Sequence, residues 1–350
     1  MRSTLDLVRE SYRAISLYAP DRAPCAIDLS DNTNLWGVPP AADEAVRSVT
    51  QSSITRYPPL YAGELKSALA AYAGVMPESI VTGCGSDDVL DSAIRAFAEP
   101  GDRIALPEPS FAMIPLFARM NGLQDTPVPL TGDMDIDVEG LLATDPRVIY
   151  ICSPNNPTGT SASRGAVEAL IAAAPGIVIL DEAYAEFGDQ SWVSDAPSRG
   201  RLLVVRTMSK AFGLAGLRIG YAAGDPAIVA EVEKSRGPYK VSRVAELAAL
   251  AALREDMGWV SSRVAEMREC RARLHEELVA LGLSPIPSDA NFVLVPVRDA
   301  AGIVRRMRQV GVAVRPFIAL PGIGDALRIT VGPWSQLEAA LDALRTCLCE

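Results

Sequence analysis

Between residues 79 and 224 one pattern repeats: a short apolar run, a polar or glycine-rich loop, then a stretch with helical spacing. Ser79-Ile80-Val81-Thr82 leads into Gly83-Cys84-Gly85-Ser86-Asp87-Asp88 and a predicted helix over 89–97. Residues 103–106 lead into Pro107-Glu108-Pro109-Ser110-Phe111, and 148–152 into Ser153-Pro154-Asn155-Asn156-Pro157-Thr158-Gly159. Residues 176–180 lead into Asp181-Glu182-Ala183-Tyr184, and 202–205 into a lysine-bearing stretch. Val167, Leu170, Ile171 and Ala174 fall at i, i+3, i+4 and i+7, the stripe of an amphipathic helix. Strands that are apolar at every position have no solvent face, so both sides must be covered. Their alternation with helices predicts an α/β fold with a mostly parallel sheet between helical layers.

Ligands of such sheets gather at the carboxyl ends of the strands. Every polar cluster above sits at one, so all are expected to converge on a single crevice. The stretch after residue 205 reads Thr207-Met208-Ser209-Lys210-Ala211-Phe212-Gly213-Leu214-Ala215-Gly216-Leu217-Arg218. Hydroxyls, glycine N–H groups and a guanidinium are what a phosphate needs. A lysine buried among them has a lowered pKa and can act as a nucleophilic amine. Alone, the stretch reads equally as a glycine-rich turn with a solvated lysine; its place at a strand end favours the first reading.

The other clusters add distinct chemistry. Gly83-x-Gly85-Ser86 at a helix start offers free N–H groups to an anion, but lacks the third glycine of a dinucleotide fingerprint. Phe111 can stack on a flat ring or pack in the core. Asp181 follows a buried strand directly, so its carboxylate must meet a cation or change its pKa. Tyr184 can bond to a phenolic oxygen. A phosphate cradle, a ring stacker, a carboxylate for a ring nitrogen, an amide and a phenol for a ring hydroxyl, and an amine for an aldehyde together suit pyridoxal phosphate.

The flanks differ in character. Leu5, Val8, Tyr12 and Ile15 suggest a short amphipathic helix over 3–15, and residues 27–37 read as a polar loop. Helices are expected over 41–49, 64–72, 241–281 (with an interruption near Gly258-Trp259), 300–309 and 334–348. Strands are expected at 291–297, 312–316 and 327–332. The 350 residues therefore divide into a large unit, 39–240, and a smaller α+β unit built from 1–38 and 241–350.

Composition removes competitors. The single histidine, His275, lies on a charged helical face, so histidine-based hydrolases and zinc sites lose their chemistry. Cys347-x-Cys349 has no companion ligands, and no metal is expected. A net charge of −10 without blocks of like charge leaves no nucleic-acid footprint. No apolar run approaches the ~20 residues of a membrane helix. The polar N-terminus and six scattered cysteines suit a reduced, cytoplasmic setting.

The motifs Ser153–Gly159, Asp181–Tyr184 and Ser209–Arg218 resemble those of fold-type I pyridoxal-phosphate-dependent transferases. With Arg56-Tyr57-Pro58, Gly83–Asp88 and Leu327-Arg328-Ile329-Thr330-Val331-Gly332, the chain is most similar to the histidinol-phosphate aminotransferase family, from about Tyr18 to the C-terminal helix. The resemblance implies that Lys210 bonds the cofactor aldehyde as a Schiff base and moves the proton, and that Asp181 keeps the ring nitrogen protonated. It implies Asn156 and Tyr184 at the ring hydroxyl and Phe111 on the ring face. Gly85, Ser86, Thr207, Ser209 and Arg218 would hold the phosphate, with Tyr57 reaching the phosphate of a neighbouring subunit in a homodimer. Arg328 would grip a substrate carboxylate and Arg315 a substrate phosphate, with Tyr18 and Asn32 lining the substrate mouth. The default substrates would be L-histidinol phosphate and 2-oxoglutarate, in histidine biosynthesis.

Four places depart from the family pattern: Asn32-Thr33-Asn34-Leu35 in place of Asn-Glu-Asn-Pro, Cys84 in place of asparagine, Ile114 in place of an aromatic, and Pro333-Trp334-Ser335. All are expected near the substrate rather than the cofactor. They leave open another amino-acid aminotransferase, such as an aromatic one, or a threonine-phosphate decarboxylase. A nicotinamide oxidoreductase using Gly83-x-Gly85, or a non-catalytic ligand sensor of the same fold, is disfavoured by the missing glycine and by the lack of a basic DNA-binding segment.

Overall fold

The strands predicted from apolar runs form where expected, and some depart in length or neighbours. The structure, a computed structural model, describes residues 4–13, 15–17 and 23–348. Its strands in chain order are β1 (Ile27–Leu29), β2 (Ile80–Cys84), β3 (Arg103–Glu108), β4 (Gln124–Pro129), β5 (Val148–Cys152) and β6 (Ile177–Asp181). They continue with β7 (Leu202–Thr207), β8 (Ile219–Gly224), β9 (Phe292–Pro296), β10 (Val312–Leu320) and β11 (Gly324–Thr330).

The large sheet has the order β2-β8-β7-β6-β5-β3-β4. Strands β5, β6, β7 and β8 are buried at every position, which is why they read as unbroken apolar runs. Alternate residues feed two cores. Ile149, Ile151, Val178, Leu180 and Val204 pack on one face, and Val148, Tyr150, Ile179, Leu203 and Val205 on the other. All neighbours are parallel except β8, which runs antiparallel to both β7 and β2. That reversal returns the chain, only eleven residues after Thr207, to the edge where β7 ends.

Strand β4 escapes a pattern-based reading. Gln124-Asp125-Thr126-Pro127-Val128-Pro129 has neither alternation nor an apolar run, yet it pairs with β3 at the sheet edge. There a missing proline N–H costs no ladder bond. Strand β1 lies inside the expected polar loop and pairs in parallel with β10. It completes a second, four-stranded sheet in the order β1-β10-β11-β9. The expected 3–15 helix is instead a 3-10 turn, Thr4–Leu7, and a single turn, Glu10–Arg13. Leu7 and Val8 stay exposed, and so short a helix does not propagate without a surface to bury against.

The expected long helix of 241–281 is two, Arg243–Glu255 and Met257–Ala280. The break falls at Asp256, whose carboxylate accepts the Ala41 N–H at 2.6 Å. Helix Arg243–Glu255 packs on helices Pro40–Arg47 and Gly63–Ala73, beside the large sheet rather than the small one. Among the described residues no helix is long and apolar enough to cross a membrane.

Candidate active site

The carboxyl ends of β2, β3, β5, β6 and β7 and the start of β8 bring the chemistry together. Strand β2 runs straight into helix Gly85–Phe97, whose N-cap makes no side-chain capping bond, so the N–H groups that follow Gly85 meet no capping side chain. Gly85 has φ +78, and a Cβ there would stand 2.4 Å from Arg218 Nη2. At Gly220 a Cβ would meet Gly85 C and Ser86 N at 2.2 Å. These glycines let the helix start, β8 and the Arg218 guanidinium close into one cup. Arg218 itself is left-handed, φ 55, its carbonyl accepts the Gly85 N–H at 3.0 Å, and Nη2 donates to Asp87 at 3.1 Å. Thr207 and Ser209 complete the cup; Thr207 Oγ1 donates to Ser209 Oγ at 2.9 Å and accepts the Ser209 N–H at 3.1 Å.

Asp181 ends β6 almost wholly buried. Its Oδ2 accepts from Tyr150 at 2.9 Å and its Oδ1 from the Ala183 N–H at 3.1 Å. Among the described residues no cation pairs with it, and burial raises its pKa to about 7. Lys210, after β7, donates to the Asp31 carbonyl at 3.3 Å and stands 5.8 Å from the Tyr184 ring centre. Withdrawal from solvent, then the neighbouring Arg328 charge, lower its pKa to about 8. A buried acid without a cation, a weakly basic amine and a glycine-lined anion cup are the donor set that pyridoxal 5'-phosphate requires: ring nitrogen, aldehyde and phosphate. The residues present fit that cofactor.

Tyr184 is buried edge-on to Phe292, with ring centres 5.2 Å apart. Burial pushes its phenol pKa up, against the Arg328 charge and the Asn32 hydrogen bond. Asn156 accepts from Arg328 Nη1 at 2.6 Å, while Arg328 Nη2 donates to the Ser30 carbonyl at 2.9 Å. Arg328 and Arg315 are direct cross-strand partners on β11 and β10. Phe111, half-buried just before helix Met113–Met120, packs on the second core. Tyr57 stands apart: 84% exposed, it stacks on Tyr239 at 4.9 Å over a surface groove of about 570 Å3. Asn32 is buried with its side chain turned to Tyr184 and Thr330 rather than to solvent. Tyr18 lies outside the described residues.

The four departures do not share one place. Ile114 is wholly buried in the second core, because it faces the sheet from the first turn of its helix. Leu35 lies over Gly332, where a Cβ would be 2.6 Å from Leu35 Cδ1, and next to it Trp334 lies 3.5 Å beneath Arg273. Cys84 is exposed at the cup rim, and Thr33 Oγ1 donates to Asp31 at 2.8 Å. Tyr150 was not singled out from sequence, because Val148–Cys152 reads as plain core. Its one polar atom in an otherwise apolar strand was the available signal. Asp87, beside Arg218, was hidden as an ordinary helix-start acid.

A half-buried lysine and a buried carboxylate at neighbouring strand ends of this sheet define a fold-type I, pyridoxal-phosphate-dependent enzyme. The family model for aminotransferase class I and II matches residues 25–344, and the chain belongs to that family. It is 34% identical to the histidinol-phosphate aminotransferase of Thermoanaerobacter sp. (strain X514), over 98% of this chain and 99% of that one. It is 38% identical to the protein of the same name from Chromobacterium violaceum, over 97% of each. Among solved structures, histidinol-phosphate aminotransferase from Sinorhizobium meliloti in complex with pyridoxal 5'-phosphate superposes with a TM-score of 0.90 at 26% identity, covering 98% of this chain and 97% of that one. The chain is a pyridoxal-phosphate-dependent aminotransferase.

Proposed function

We propose that this aminotransferase moves an amino group from L-histidinol phosphate to 2-oxoglutarate. The observation that carries the reading is the Arg315–Arg328 pair. Like charges directly opposite on a sheet repel and are destabilising, unless the site serves an anion. Arg328 is buried and Arg315 half-buried, so a phosphate or carboxylate between them would be held by guanidinium forks out of water's competition. The names of the relatives above supply the particular phosphorylated donor.

Pyridoxal 5'-phosphate, when bound, supplies an aldehyde to carry the amino group and a cationic ring to accept the electron pair left at Cα. The protein's residues do the rest. Lys210 Nζ, with its pKa near 8, is unprotonated in a useful fraction at neutral pH and takes and returns the Cα proton. Asp181 would face the ring nitrogen and hold its proton there, the cationic partner relieving the cost of burying the carboxylate. Asn156 and Tyr184 would face the ring hydroxyl, and Phe111 would cover the ring. The cup of Gly85, Ser86, Thr207, Ser209 and Arg218 would anchor the phosphate. Because Arg328 bonds Asn156, the substrate grip and the ring hydroxyl's partner move together.

The same reading includes a homodimer, with Tyr57 reaching the partner's phosphate cup; its exposure beside an open groove supports this. It divides the chain into a large unit, 39–240 with helix Arg243–Glu255 packed on it, and a smaller unit around the four-stranded sheet. It also places the enzyme in the cytoplasm, which the five described, unpaired cysteines favour. The test is a comparison of kcat/KM for L-histidinol phosphate and L-phenylalanine with 2-oxoglutarate as acceptor. Preference for the phosphorylated donor supports the reading, and preference for phenylalanine moves the enzyme to an aromatic specificity.

A further inference from the structure

Asn32 has no polar group to spare. Its N–H donates to Thr330 Oγ1 at 3.0 Å, its carbonyl accepts from Asn291 Nδ2 at 3.1 Å, and its Oδ1 accepts from Thr330 Oγ1 at 3.1 Å. The remaining group, Nδ2, donates to Tyr184 Oη at 3.2 Å. All four residues are buried, and Asn32 is held in the left-handed region at φ 58. Asparagine visits that region more readily than most residues. Its persistence at a buried position with all four polar groups engaged indicates that the surroundings over-determine it.

The chain of bonds has a direction. Thr330 Oγ1 accepts the Asn32 N–H, so its own hydrogen is free to go to Asn32 Oδ1. That orients the carboxamide with its NH2 toward Tyr184. An amide NH2 can only donate, so the Tyr184 oxygen accepts and the single phenol hydrogen stays uncommitted. We propose that Asn32 is a positioning residue that reserves the Tyr184 hydrogen for the ring oxygen of bound pyridoxal phosphate. Asn32 and Thr330 belong with the small sheet and Tyr184 with the large one, so the bond ties the cofactor's electronic state to the docking of the two sheets. The inference rests on the placement of Tyr184 at the ring hydroxyl. Other groups acting on the Tyr184 phenol are Arg328, Cys152 and Asp181, with Lys210 over its ring; none of them replaces the Asn32 donor.

Asn32→Asp tests it. Aspartate keeps the shape, the left-handed backbone and the Thr330 bond, but presents an acceptor to Tyr184 and draws the phenol hydrogen away. The readouts are the pH at which the visible band of the cofactor-loaded protein titrates, and the dissociation constant for pyridoxal 5'-phosphate. A hydrogen bond lost from an anionic ring oxygen raises that titration by about one pH unit and weakens binding about tenfold. Asn32→Asp and Tyr184→Phe should each show this, and Asn32→Asp should add less than about twofold in the Tyr184→Phe background. If Asn32→Asp does not fold, Thr330→Val removes the hydroxyl that orients the carboxamide, with the same direction expected. An equal shift with and without the Tyr184 hydroxyl overturns the proposal. So does a shift from Tyr184→Phe alone. No shift from Tyr184→Phe overturns the placement of Tyr184 as well.

Discussion

Tyr150 donates a 2.9 Å hydrogen bond to Asp181 from the neighbouring strand, and both residues are buried. Tyr150 pairs with Ile179, so its phenol lies diagonally across from Asp181 on the same sheet face. Burial drives the carboxyl toward its neutral form, while the phenol and the Ala183 N–H pull the other way. Tyr150→Phe removes one of the two restraints, and the carboxyl pKa should climb further. Turnover at neutral pH is expected to fall about tenfold and to recover as pH rises. A kcat profile against pH checks this, and an unchanged acidic limb would refute it.

Asp181 also sets how the cofactor-free protein responds to pH. Its folded pKa, about 7, lies above the ordinary 3.8, so the native state holds the proton longer than the unfolded chain. Its contribution is therefore complete below about pH 4 and is lost as pH rises through about 7, by a few kcal/mol. Urea denaturation of the cofactor-free protein between pH 5 and 8 should show stability falling with pH, and Asp181→Asn should flatten that slope. Parallel slopes would contradict the buried, unpaired carboxylate.

Gly85→Ala places a methyl group where Arg218 Nη2 lies, on a backbone at φ +78 that disfavours alanine. The phosphate cup should open, weakening pyridoxal 5'-phosphate about tenfold or more while the cores are untouched. Fluorescence titration of the cofactor-free variant measures it, and wild-type affinity would mean that Arg218 and Gly85 do not share one ligand.

Arg315→Ala should lower kcat/KM for L-histidinol phosphate about 10–100-fold, the loss expected for one charge-assisted hydrogen bond. L-glutamate and unphosphorylated donors should change by less than about threefold on the same reasoning. Equal losses would mean that Arg315 reads no phosphate and that Arg328 carries the anion alone.

Much of this site is legible in the chain because strand ends are. Asp181, Thr207 and Lys210 follow runs apolar at every position, and such runs have one use in a soluble α/β fold: a buried strand with its carboxyl end at the crevice. Arg218 is legible in the same stretch as a guanidinium suited to a phosphate, and the antiparallel reversal of β8 is what returns it to the cup. Strand β4 was illegible because edge prolines erase the pattern, and β1 because three residues carry too little periodicity. The Asn32 network lay beyond reach for a different reason. Residues 32, 184, 291 and 330 meet through tertiary docking, and no local spacing encodes which way a carboxamide faces.

Lys210 carries the central claim. Lys210→Ala should leave a folded protein that binds pyridoxal 5'-phosphate without a covalent link and loses at least about 1000-fold in turnover, the span of nucleophilic and acid–base roles combined. Appreciable multiple turnover would remove the lysine from the chemistry.

The most direct measurement is an absorption titration of the cofactor-loaded wild-type enzyme with L-histidinol phosphate, L-glutamate and L-phenylalanine, one at a time. Each productive half-reaction replaces the band of the lysine-bound cofactor with that of its aminated form. Conversion by L-histidinol phosphate and by L-glutamate is the expected result. Conversion by L-phenylalanine alone, or by none of the three, would contradict the proposed donor and acceptor.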